Sequence, residues 1–357
     1  MIDLAFWRGR RVFITGHTGF KGSWLCLWLS RLGADVTGYA LAPPTDPSLF
    51  VLARVAEGMR SIEGDVRDLV SLRAAMSAAA PEVVIHLAAQ SLVRFSYANP
   101  VETFATNVLG SVHALEAART VPPVRAIVMV TSDKCYKNNE WHWGYRESEA
   151  LGGHDPYSAS KACAEIAIGA YQASFYADQT LAAAVASARA GNVIGGGDWG
   201  QDRLIPDILR SLLRGEPTLI RKPEATRPWQ HVLEPLQGYL MLAERLHGQG
   251  RAFAGPWNFG PPEHSERTVG WIIEQLYGQW GAGFSWQRDA NPGPPESTFL
   301  KLDASKARAQ LGWQTRLDLP TTLRWIVEWT RSYQAGADMR ATSLADIDRY
   351  ISLKTAA

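Results

Sequence analysis

Residues 11–22 of the chain read RVFITGHTGFKG, and this stretch decides the fold. The apolar run at 11–15 stops at Gly16, which is typical of a buried strand. From residue 20, apolar side chains recur at helical spacing up to Gly33, a residue type that often ends helices. Gly16, Gly19 and Gly22 join the two elements. Glycines there permit a tight turn and let a pyrophosphate approach the helix N-terminus, and a turn that binds nothing is the alternative.

Strand-like and helix-like segments alternate through the first half of the chain. Five further strands are predicted by short apolar runs at 35–40, 61–63, 83–87, 126–130 and 181–187. Helices are predicted between them by apolar spacing at 68–79 and 101–119. This alternation predicts the α/β class, with a parallel sheet covered on both faces. The glycine-rich segment 191–200 then begins a smaller lobe, from which a helix at 231–246 and a strand at 257–259 return to the sheet.

Composition excludes several classes of function. The 357 residues are 46% hydrophobic and 20% charged, with a net charge of +1, so no basic surface for nucleic acid is predicted. No apolar run approaches the roughly 20 residues of a membrane span. Cys26, Cys135 and Cys163 are widely spaced without a metal-ligand pattern, which predicts reduced thiols, no metal and a cytoplasmic location. The 14 tryptophans serve either packing or the stacking of sugars or bases.

Two short motifs carry the candidate chemistry: VTSDKCY at 130–136 and DPYSASK at 155–161. Tyr157 and Lys161 are four residues apart, so they share one face of a helix. A cation beside a phenol favours phenolate and lowers a pKa of about 10. Tyr157 is therefore a candidate general acid or base for an alcohol that loses or regains a hydride. Ser132 and Asp133 add a hydroxyl and a carboxylate, and simple alcohol oxidation does not need the carboxylate.

The residues expected around a dinucleotide favour NAD. The second strand ends in YAL at 39–41, with no acid for a ribose hydroxyl and no arginine for a 2′-phosphate. Asp65, after the third strand, either accepts a hydrogen bond from the adenine amino group or caps a helix. Asn107 interrupts a predicted helix, where asparagine is a poor helix former, and either bonds a buried backbone group or faces solvent.

The glycine pattern, LAA at 87–89, Asn107 and the Tyr157-x-x-x-Lys161 motif together resemble the extended short-chain dehydrogenase/reductase family. Within it, segments 131–136, 143–147, 151–157, 191–199 and 227–232 are similar to sugar-nucleotide 4,6-dehydratases that act on CDP-glucose. The resemblance covers residues 6 to about 332. It implies a Rossmann-type doubly wound parallel sheet with a smaller mixed α/β C-terminal substrate-binding lobe.

The same resemblance implies a division of the chain and an assembly. Residues 1–190 form the NAD-binding domain, with returning elements around 228–260. Residues 191–227 and 261–340 form the substrate-binding lobe, and 341–357 a C-terminal helix or tail. A homodimer, or a dimer of dimers, is expected to form through the helices around 101–119 and 158–176.

The implied reaction is an internal oxidation and reduction that removes water from the hexose of a nucleotide sugar, CDP-glucose, with NAD as cofactor. Tyr157, helped by Lys161 and Ser132, takes the proton of the C4 hydroxyl, and Asp133 protonates the C6 hydroxyl as it leaves as water. Lys134 stands where other dehydratases place a glutamate, the natural base for C5. Lysine acts as a base only if its pKa is depressed, and an ion pair with Asp133 or a phosphate contact is the alternative.

The family pattern supplies further candidate residues. NAD contacts are expected from Gly16, Thr18, Gly19, Phe20, Lys21, Gly22, Asp65, Val66, Leu87, Ala88, Ala89, Asn107, Tyr157 and Lys161. Substrate contacts are expected from Gln90, Asn192, Arg203, Leu204, Arg227 and His231. The alternatives are a dehydratase or 4-epimerase for another nucleotide sugar, and a non-catalytic NAD-binding scaffold. Asp133 disfavours epimerisation, which needs no acid at C6, and the presence of both Tyr157 and Lys161 disfavours the scaffold.

Overall fold

The chain folds around a central parallel sheet. The structure is a computed structural model that describes residues 2–177, 181–281, 286–289 and 300–353. The strands are β1 Arg11–Thr15, β2 Asp35–Ala40, β3 Arg60–Glu63, β4 Val83–His86, β5 Ala126–Val130, β6 Ala184–Ala190, β7 Val193–Ile194, β8 Thr218–Ile220, β9 Thr226–Pro228, β10 Gln230–His231, β11 Gly255–Phe259, β12 Glu266–Thr268 and β13 Trp286–Arg288. The helices are α1 Leu4–Trp7, α2 Phe20–Arg31, α3 Leu49–Leu52, α4 Leu69–Ala79, α5 Val93–Ala98, α6 Pro100–Phe104, α7 Gly110–Arg119, α8 Pro156–Ser174, α9 Leu204–Arg214, α10 Leu233–Gln249, α11 Val269–Trp280, α12 Leu319–Gln334 and α13 Met339–Ser352.

The order of the strands creates a crevice at the carboxyl edge of the sheet. Seven strands pair in the order β11-β6-β5-β4-β1-β2-β3, and each recorded pairing is parallel. The chain reverses its direction of progress between β1 and β4, and ligands of open α/β sheets bind at such a switch point. There Thr15 lies opposite His86, with 2.7 Å between Thr15 Oγ1 and His86 Nδ1. The predicted doubly wound α/β class is confirmed.

Helices cover both faces of the sheet. On one face Trp24 and Trp28 of α2 belong to the same buried apolar cluster as Leu240 of α10. On the other face Leu72 of α4 and Leu115 of α7 belong to a second cluster. Both clusters include side chains of β1 and β5, because successive strand residues point to opposite faces.

Two predicted elements differ from the observed ones. The sixth strand covers Ala184–Ala190 instead of 181–187, and all seven residues are buried. It continues past Ser187 and Arg189 because Glu165 accepts hydrogen bonds from both side chains. The helix predicted at 101–119 consists of α6, a π-helical segment at Ala105–Leu109, and α7. Such wide turns inside helices are frequent at functional sites.

A third apolar cluster lies in the second half of the chain. It contains Ile208 of α9, Ile272 of α11 and Leu323 of α12. Three two-stranded sheets accompany it: β7 with β10, β8 with β13, and β9 with β12. Trp325 and Trp329 of α12 pack into the main cluster instead, so one helix serves both cores. The domain boundaries at 190, 227 and 260 remain predictions.

The helix α13 packs back onto the first helix of the sheet domain. The rings of Trp28 and Tyr350 meet edge to face with centroids 5.5 Å apart. Arg31 Nε lies 2.9 Å from Asp348 Oδ1. Among the described helices, none is both long enough and apolar enough to cross a membrane.

Candidate active site

The glycine turn after β1 forms an open cradle in front of α2. Gly16 has a φ of +78°, and a Cβ on it would lie 2.7 Å from the backbone nitrogen of Ala88. A Cβ on Gly22 would lie 2.1 Å from Gly16 O, so neither position tolerates a side chain. A Cβ on Gly19 would meet only Gly16 O, at 3.5 Å. Since α2 has no side-chain cap, its first amides are available to an anionic group such as pyrophosphate.

The loop after β4 forms the second wall of the crevice. Ala88 donates its backbone N–H to Thr15 Oγ1 over 3.2 Å. Asn107 holds Gln90 by two bonds, accepting from Gln90 N at 2.9 Å and donating to Gln90 O at 3.0 Å. It also donates to Ser160 Oγ on α8 at 2.8 Å. Of the two alternatives for Asn107, the bond to buried backbone is therefore confirmed, and it ties this loop to α8.

Ser132, Asp133 and Tyr157 come together at the carboxyl edge of the sheet. Ser132 follows β5 and caps a 3₁₀ turn at Asp133–Cys135, with its Oγ accepting from Lys134 N at 3.2 Å. The same hydroxyl donates to Asp133 Oδ1 over 2.9 Å and is a hydrogen-bond partner of the Tyr157 side chain. Tyr157 and Lys161 lie one turn apart on α8, and both are buried.

The protonation of Tyr157 differs from the expectation. Burial raises the pKa of Tyr157 to about 12, and the Ser132 hydrogen bond only partly opposes this. The prediction that Lys161 lowers the pKa of Tyr157 below its usual value is therefore wrong. A buried phenolate loses its hydration, and the nearby Asp133 carboxylate repels it. Burial also lowers the pKa of Lys161 to about 8, against the opposing effect of Glu165.

Asp133 is a buried acid among cations. Burial raises its pKa, while the charges of Lys134 and Lys21 act in the opposite direction. Burial and the charge of Arg203 lower the pKa of Lys21 to about 8. Lys21 thus lies at the reaction side of the cleft as well as beside the glycine turn. A carboxyl group that keeps its proton to higher pH suits a general acid.

Arg203, the residue before α9, reaches the loop after β4. Its guanidinium donates to Asp198 Oδ2 at 3.0 Å and to Ser91 Oγ at 2.9 Å, and its charge acts on Tyr157. A second bridge joins Arg94 and Asp202, with 3.3 Å between nitrogen and oxygen. Leu204 follows Arg203 as the first residue of α9. These contacts place Arg203 at the mouth of the cleft.

The other residues expected to contact substrate lie in different surroundings. The Gln90 amide donates to Leu92 O at 3.1 Å and to Thr103 Oγ1 at 2.9 Å, so it positions the start of α5. Asn192 and Arg227 are partly buried, in the segment before β7 and in β9 respectively.

His231 is 1% exposed and lies in the core, contrary to the position expected for a substrate contact. Its ring meets those of Trp24 and Trp325 at 6.3 and 5.7 Å, because β10 pairs with β7 and turns this side chain inward. Burial lowers the pKa of His231 to about 3, so the ring is neutral.

The remaining residues of the predicted NAD site surround the turn and β3. Asp65 accepts from Arg67 N and from Arg67 Nε, each at 2.8 Å. The cap of α4 is Asp68, so the alternative role of Asp65 as a helix cap is wrong. Val66 is buried, with a side-chain methyl 2.8 Å from where a Cβ on Gly110 would lie. The other predicted positions are Thr18, which donates to Leu41 O at 2.9 Å, together with the half-buried Phe20, Leu87 and Ala89.

The sequence analysis did not identify three residues that lie behind the catalytic turn at Asp133–Cys135. Glu165 and Arg189 form a buried ion pair, and Gly191 lies against Asp133. The available signal was an arginine inside an otherwise apolar strand and a glutamate four residues after Lys161. Within the described ranges, no group of three or more His, Cys, Asp or Glu side chains is arranged to hold a metal ion.

A glycine turn at the switch point of a parallel sheet, with serine, tyrosine and lysine at its carboxyl edge, defines an extended short-chain dehydrogenase/reductase. The family model of GDP-mannose 4,6 dehydratase matches residues 13–326, and the chain belongs to this family. A CDP-glucose 4,6-dehydratase of Salmonella typhimurium is 51% identical over 358 residues, covering 99% of this chain and 100% of the relative.

Two solved structures share the fold. MoeE5 in complex with UDP-glucuronic acid and NAD has a TM-score of 0.74 at 26% identity, covering 90% of this chain and 99% of that chain. DesIV, a dTDP-glucose 4,6-dehydratase from Streptomyces venezuelae with NAD bound, has a TM-score of 0.76 at 24% identity. That second match covers 92% of this chain and 99% of DesIV and supports the fold alone.

Proposed function

We propose that the chain is a hydro-lyase that converts CDP-glucose into CDP-4-dehydro-6-deoxyglucose and water, with NAD as its cofactor. The observation that carries the proposal is the buried Asp133 carboxyl group bonded to Ser132, which is also the partner of Tyr157. An alcohol dehydrogenase site does not need this acid, whereas loss of a hydroxyl group as water does. The choice of CDP-glucose rests on the relative with 51% identity over nearly the whole chain.

The crevice fits NAD. Gly16, Gly19 and Gly22 leave room for a pyrophosphate at the uncapped start of α2. Tyr39, Ala40 and the following Leu41 offer no cation for a 2′-phosphate, which supports NAD over NADP. When bound, NAD supplies the acceptor for the C4 hydride and the donor for its return at C6.

The side chains of the site divide the proton transfers between them. Tyr157 exchanges a proton with the C4 oxygen, and Ser132 orients the phenol by its hydrogen bond. Asp133 gives a proton to the C6 oxygen as the C–O bond breaks, since burial keeps this carboxyl group protonated to higher pH. Lys134 is half-buried beside Asp133 and is a candidate base for C5, with an ion-pairing role as the alternative.

The second lobe is proposed to bind the nucleotide diphosphate. Arg203 reaches the cleft, and a pyrophosphate would compete with Asp198 for its guanidinium. Arg227 in β9 and Asn192 in the segment before β7 are further candidates, since both are partly buried polar side chains. Leu204 and Gln90 are proposed to shape the pocket.

We propose that two copies associate through the helical segments around 101–119 and 158–176, which comprise α6, the π-helical segment, α7 and most of α8. Val101 is 82% exposed, Leu109 52% and Ile166 61%, although all three are large and apolar. Such side chains on neighbouring helices are expected to be covered by another copy.

A cytoplasmic location is supported by free thiols at Cys26, Cys135 and Cys163.

The test is incubation of the purified protein and NAD with CDP-, UDP-, dTDP- and GDP-linked sugars in parallel. CDP-glucose is expected to give a 4-keto sugar that absorbs in alkali and has lost the mass of one water, without net NADH. The Asp133→Asn variant keeps the shape of the side chain and is expected to catalyse the loss of water from the sugar far more slowly. No keto product from CDP-glucose despite bound NAD would refute the proposal, and an epimer or a product from another nucleotide sugar would establish the corresponding alternative.

A further inference from the structure

A buried ion pair lies beneath the catalytic turn. Glu165 Oε2 and Arg189 Nη2 are 2.7 Å apart, and each side chain is 3% exposed. Taking two charges out of water costs several kcal/mol per ion, and their attraction often does no more than offset this cost. Stability alone is therefore a weak reason for the pair, and its other contacts indicate its role.

Glu165 holds the first end of the turn. Thr131 Oγ1 donates to Glu165 Oε1, and Ser187 Oγ donates to Glu165 Oε2 at 2.8 Å. Thr131 directly precedes Ser132 and Asp133 in the chain. The carboxylate thus joins the end of β5 to β6 and to its own helix, α8.

Arg189 holds the second end of the same turn. Its Nη1 donates to the Tyr136 hydroxyl at 2.7 Å and to Glu147 O at 3.2 Å. The guanidinium carbon also lies 4.9 Å from the centroid of the Tyr136 ring. Tyr136 directly follows the turn at Asp133–Cys135 and donates its hydroxyl hydrogen to Asn258 Oδ1 at 2.8 Å. Both ends of the segment 131–136 are therefore fastened to one ion pair.

Glu165 also acts on Lys161, which lies one turn earlier on the same face of α8. The titratable groups on the elements around Lys161 are Tyr157 and Glu165 on α8, Asp133 and Cys135 on the turn, His86 on β4 and Lys21 on α2. Burial raises the pKa of Cys135 and lowers that of His86 to about 3, so both groups are neutral near pH 7. Lys21 repels the Lys161 ammonium, whereas Glu165 has the largest favourable effect on it.

We propose that Glu165 is a positioning residue for the reaction: with Arg189 it fixes both ends of the segment 131–136, and it keeps Lys161 a cation beside Tyr157. This inference rests on the proposed dehydratase function, because its kinetic test uses that reaction. Glu165 is proposed to act without contact to substrate or cofactor. It links Asp133 on the turn to Lys161 on α8.

The test is the Glu165→Gln variant, which keeps the side-chain shape and an acceptor for Thr131 but removes the charge. We expect kcat to fall by about tenfold or more with little change in KM. The alkaline limb of kcat is expected to move to lower pH by about one unit, since Lys161 loses its proton more readily. Hydrogen–deuterium exchange of residues 131–136 is expected to become faster, a readout that does not depend on activity.

Ser187→Ala is the matched control, because it removes a hydrogen bond to the same carboxylate without a change of charge. Its pH profile is expected to match that of the wild type. If an unpaired Arg189 prevents folding of Glu165→Gln, the double variant Glu165→Gln/Arg189→Met removes both buried charges and is expected to shift the limb in the same direction. A wild-type pH profile in Glu165→Gln and in the double variant, with lower thermal stability as the only change, would overturn the inference. A wild-type protein that makes no product would refute the dehydratase function instead, and the exchange measurement would still test the anchoring.

Discussion

The carboxylate of Asp133 lies directly against Gly191: a Cβ built on this glycine would be 2.7 Å from Asp133 Oδ2. Real side chains do not approach so closely, so one of the two groups would have to move. β6 ends at Ala190, so this glycine is the first residue after the strand. The place of the proposed general acid therefore depends on the absence of a side chain at residue 191.

Gly191→Ala is expected to separate oxidation from water loss. The added methyl group displaces Asp133 while Tyr157 and Lys161 on α8 stay in place, so release of water is expected to slow by about tenfold or more. NADH absorbance is then expected to appear while the dehydrated 4-keto-6-deoxy product forms slowly. Gly278→Ala is the control, because a Cβ there meets nothing within 4 Å, and it should leave both signals unchanged. An unaltered rate of water loss in Gly191→Ala would contradict the proposed role of Asp133.

Two glycines of the nucleotide turn are expected to respond differently to alanine. Gly22→Ala places a Cβ 2.1 Å from Gly16 O and is expected to lower the melting temperature along with NAD binding. Gly19→Ala meets only one atom, at 3.5 Å, so the fold should persist while the pyrophosphate loses its space. Calorimetric titration with NAD and thermal melts of both variants distinguish the two effects. Normal NAD affinity in Gly19→Ala would place the pyrophosphate elsewhere.

Lys21→Met is expected to shift the pH dependence of water loss upward. Lys21 lowers the pKa of Asp133 and repels the Lys161 ammonium, so removal of this cation keeps both groups protonated to higher pH. The alkaline limb of product formation, measured at saturating NAD, should therefore move to higher pH. Lys137→Met, at an exposed position, changes the net charge equally and should not shift the limb. Equal shifts in both variants would point to a general charge effect.

Glu234 is expected to make the stability of the protein depend on pH. It is fully buried, accepts from Leu317 N at 2.8 Å, and burial raises its pKa from 4.5 to about 7. Below pH 4.5 Glu234 is protonated in the folded and the unfolded protein, and the free energy of unfolding keeps its full value. This free energy falls as pH rises through about 7, because the unfolded protein loses the proton more readily than the folded one. The melting temperatures of wild type and Glu234→Gln, measured between pH 5 and 8, should converge at low pH. As pH rises, the melting temperature of the wild type should fall relative to that of the variant. Parallel curves would show that Glu234 does not titrate in this range.

The sheet was predictable because its strands are apolar runs that stop at glycine or polar residues. The predicted bounds of β1, β2 and β5 are those observed. β6 was misplaced because Arg189 is a poor strand-core residue until Glu165, far away in sequence, neutralises it. Most tryptophans serve packing, including Trp24 and Trp257, which are fully buried.

For the site, sequence spacing was enough to bring Tyr157 and Lys161 together, but the environment was not predictable. The pKa of Tyr157 rises because burial outweighs nearby donors, and burial depends on the whole fold. His231 looked like a ligand residue in its motif and is a core residue, because the strand pairing of β10 decides where its ring points. Gly191 matters only through the approach of Asp133, a contact made by tertiary structure.

The packing of α13 on α2 has a consequence for biosynthesis. Arg31 and Asp348 bond to each other across 317 positions of sequence, and Tyr350 joins Trp28 in the main core. While the nascent chain emerges from the ribosome, the Trp28 side of α2 is expected to stay exposed to solvent until residues 339–352 have been made. During that interval the unfinished polypeptide is expected to expose an apolar surface that chaperones bind. Fragments that end before α13 are expected to aggregate.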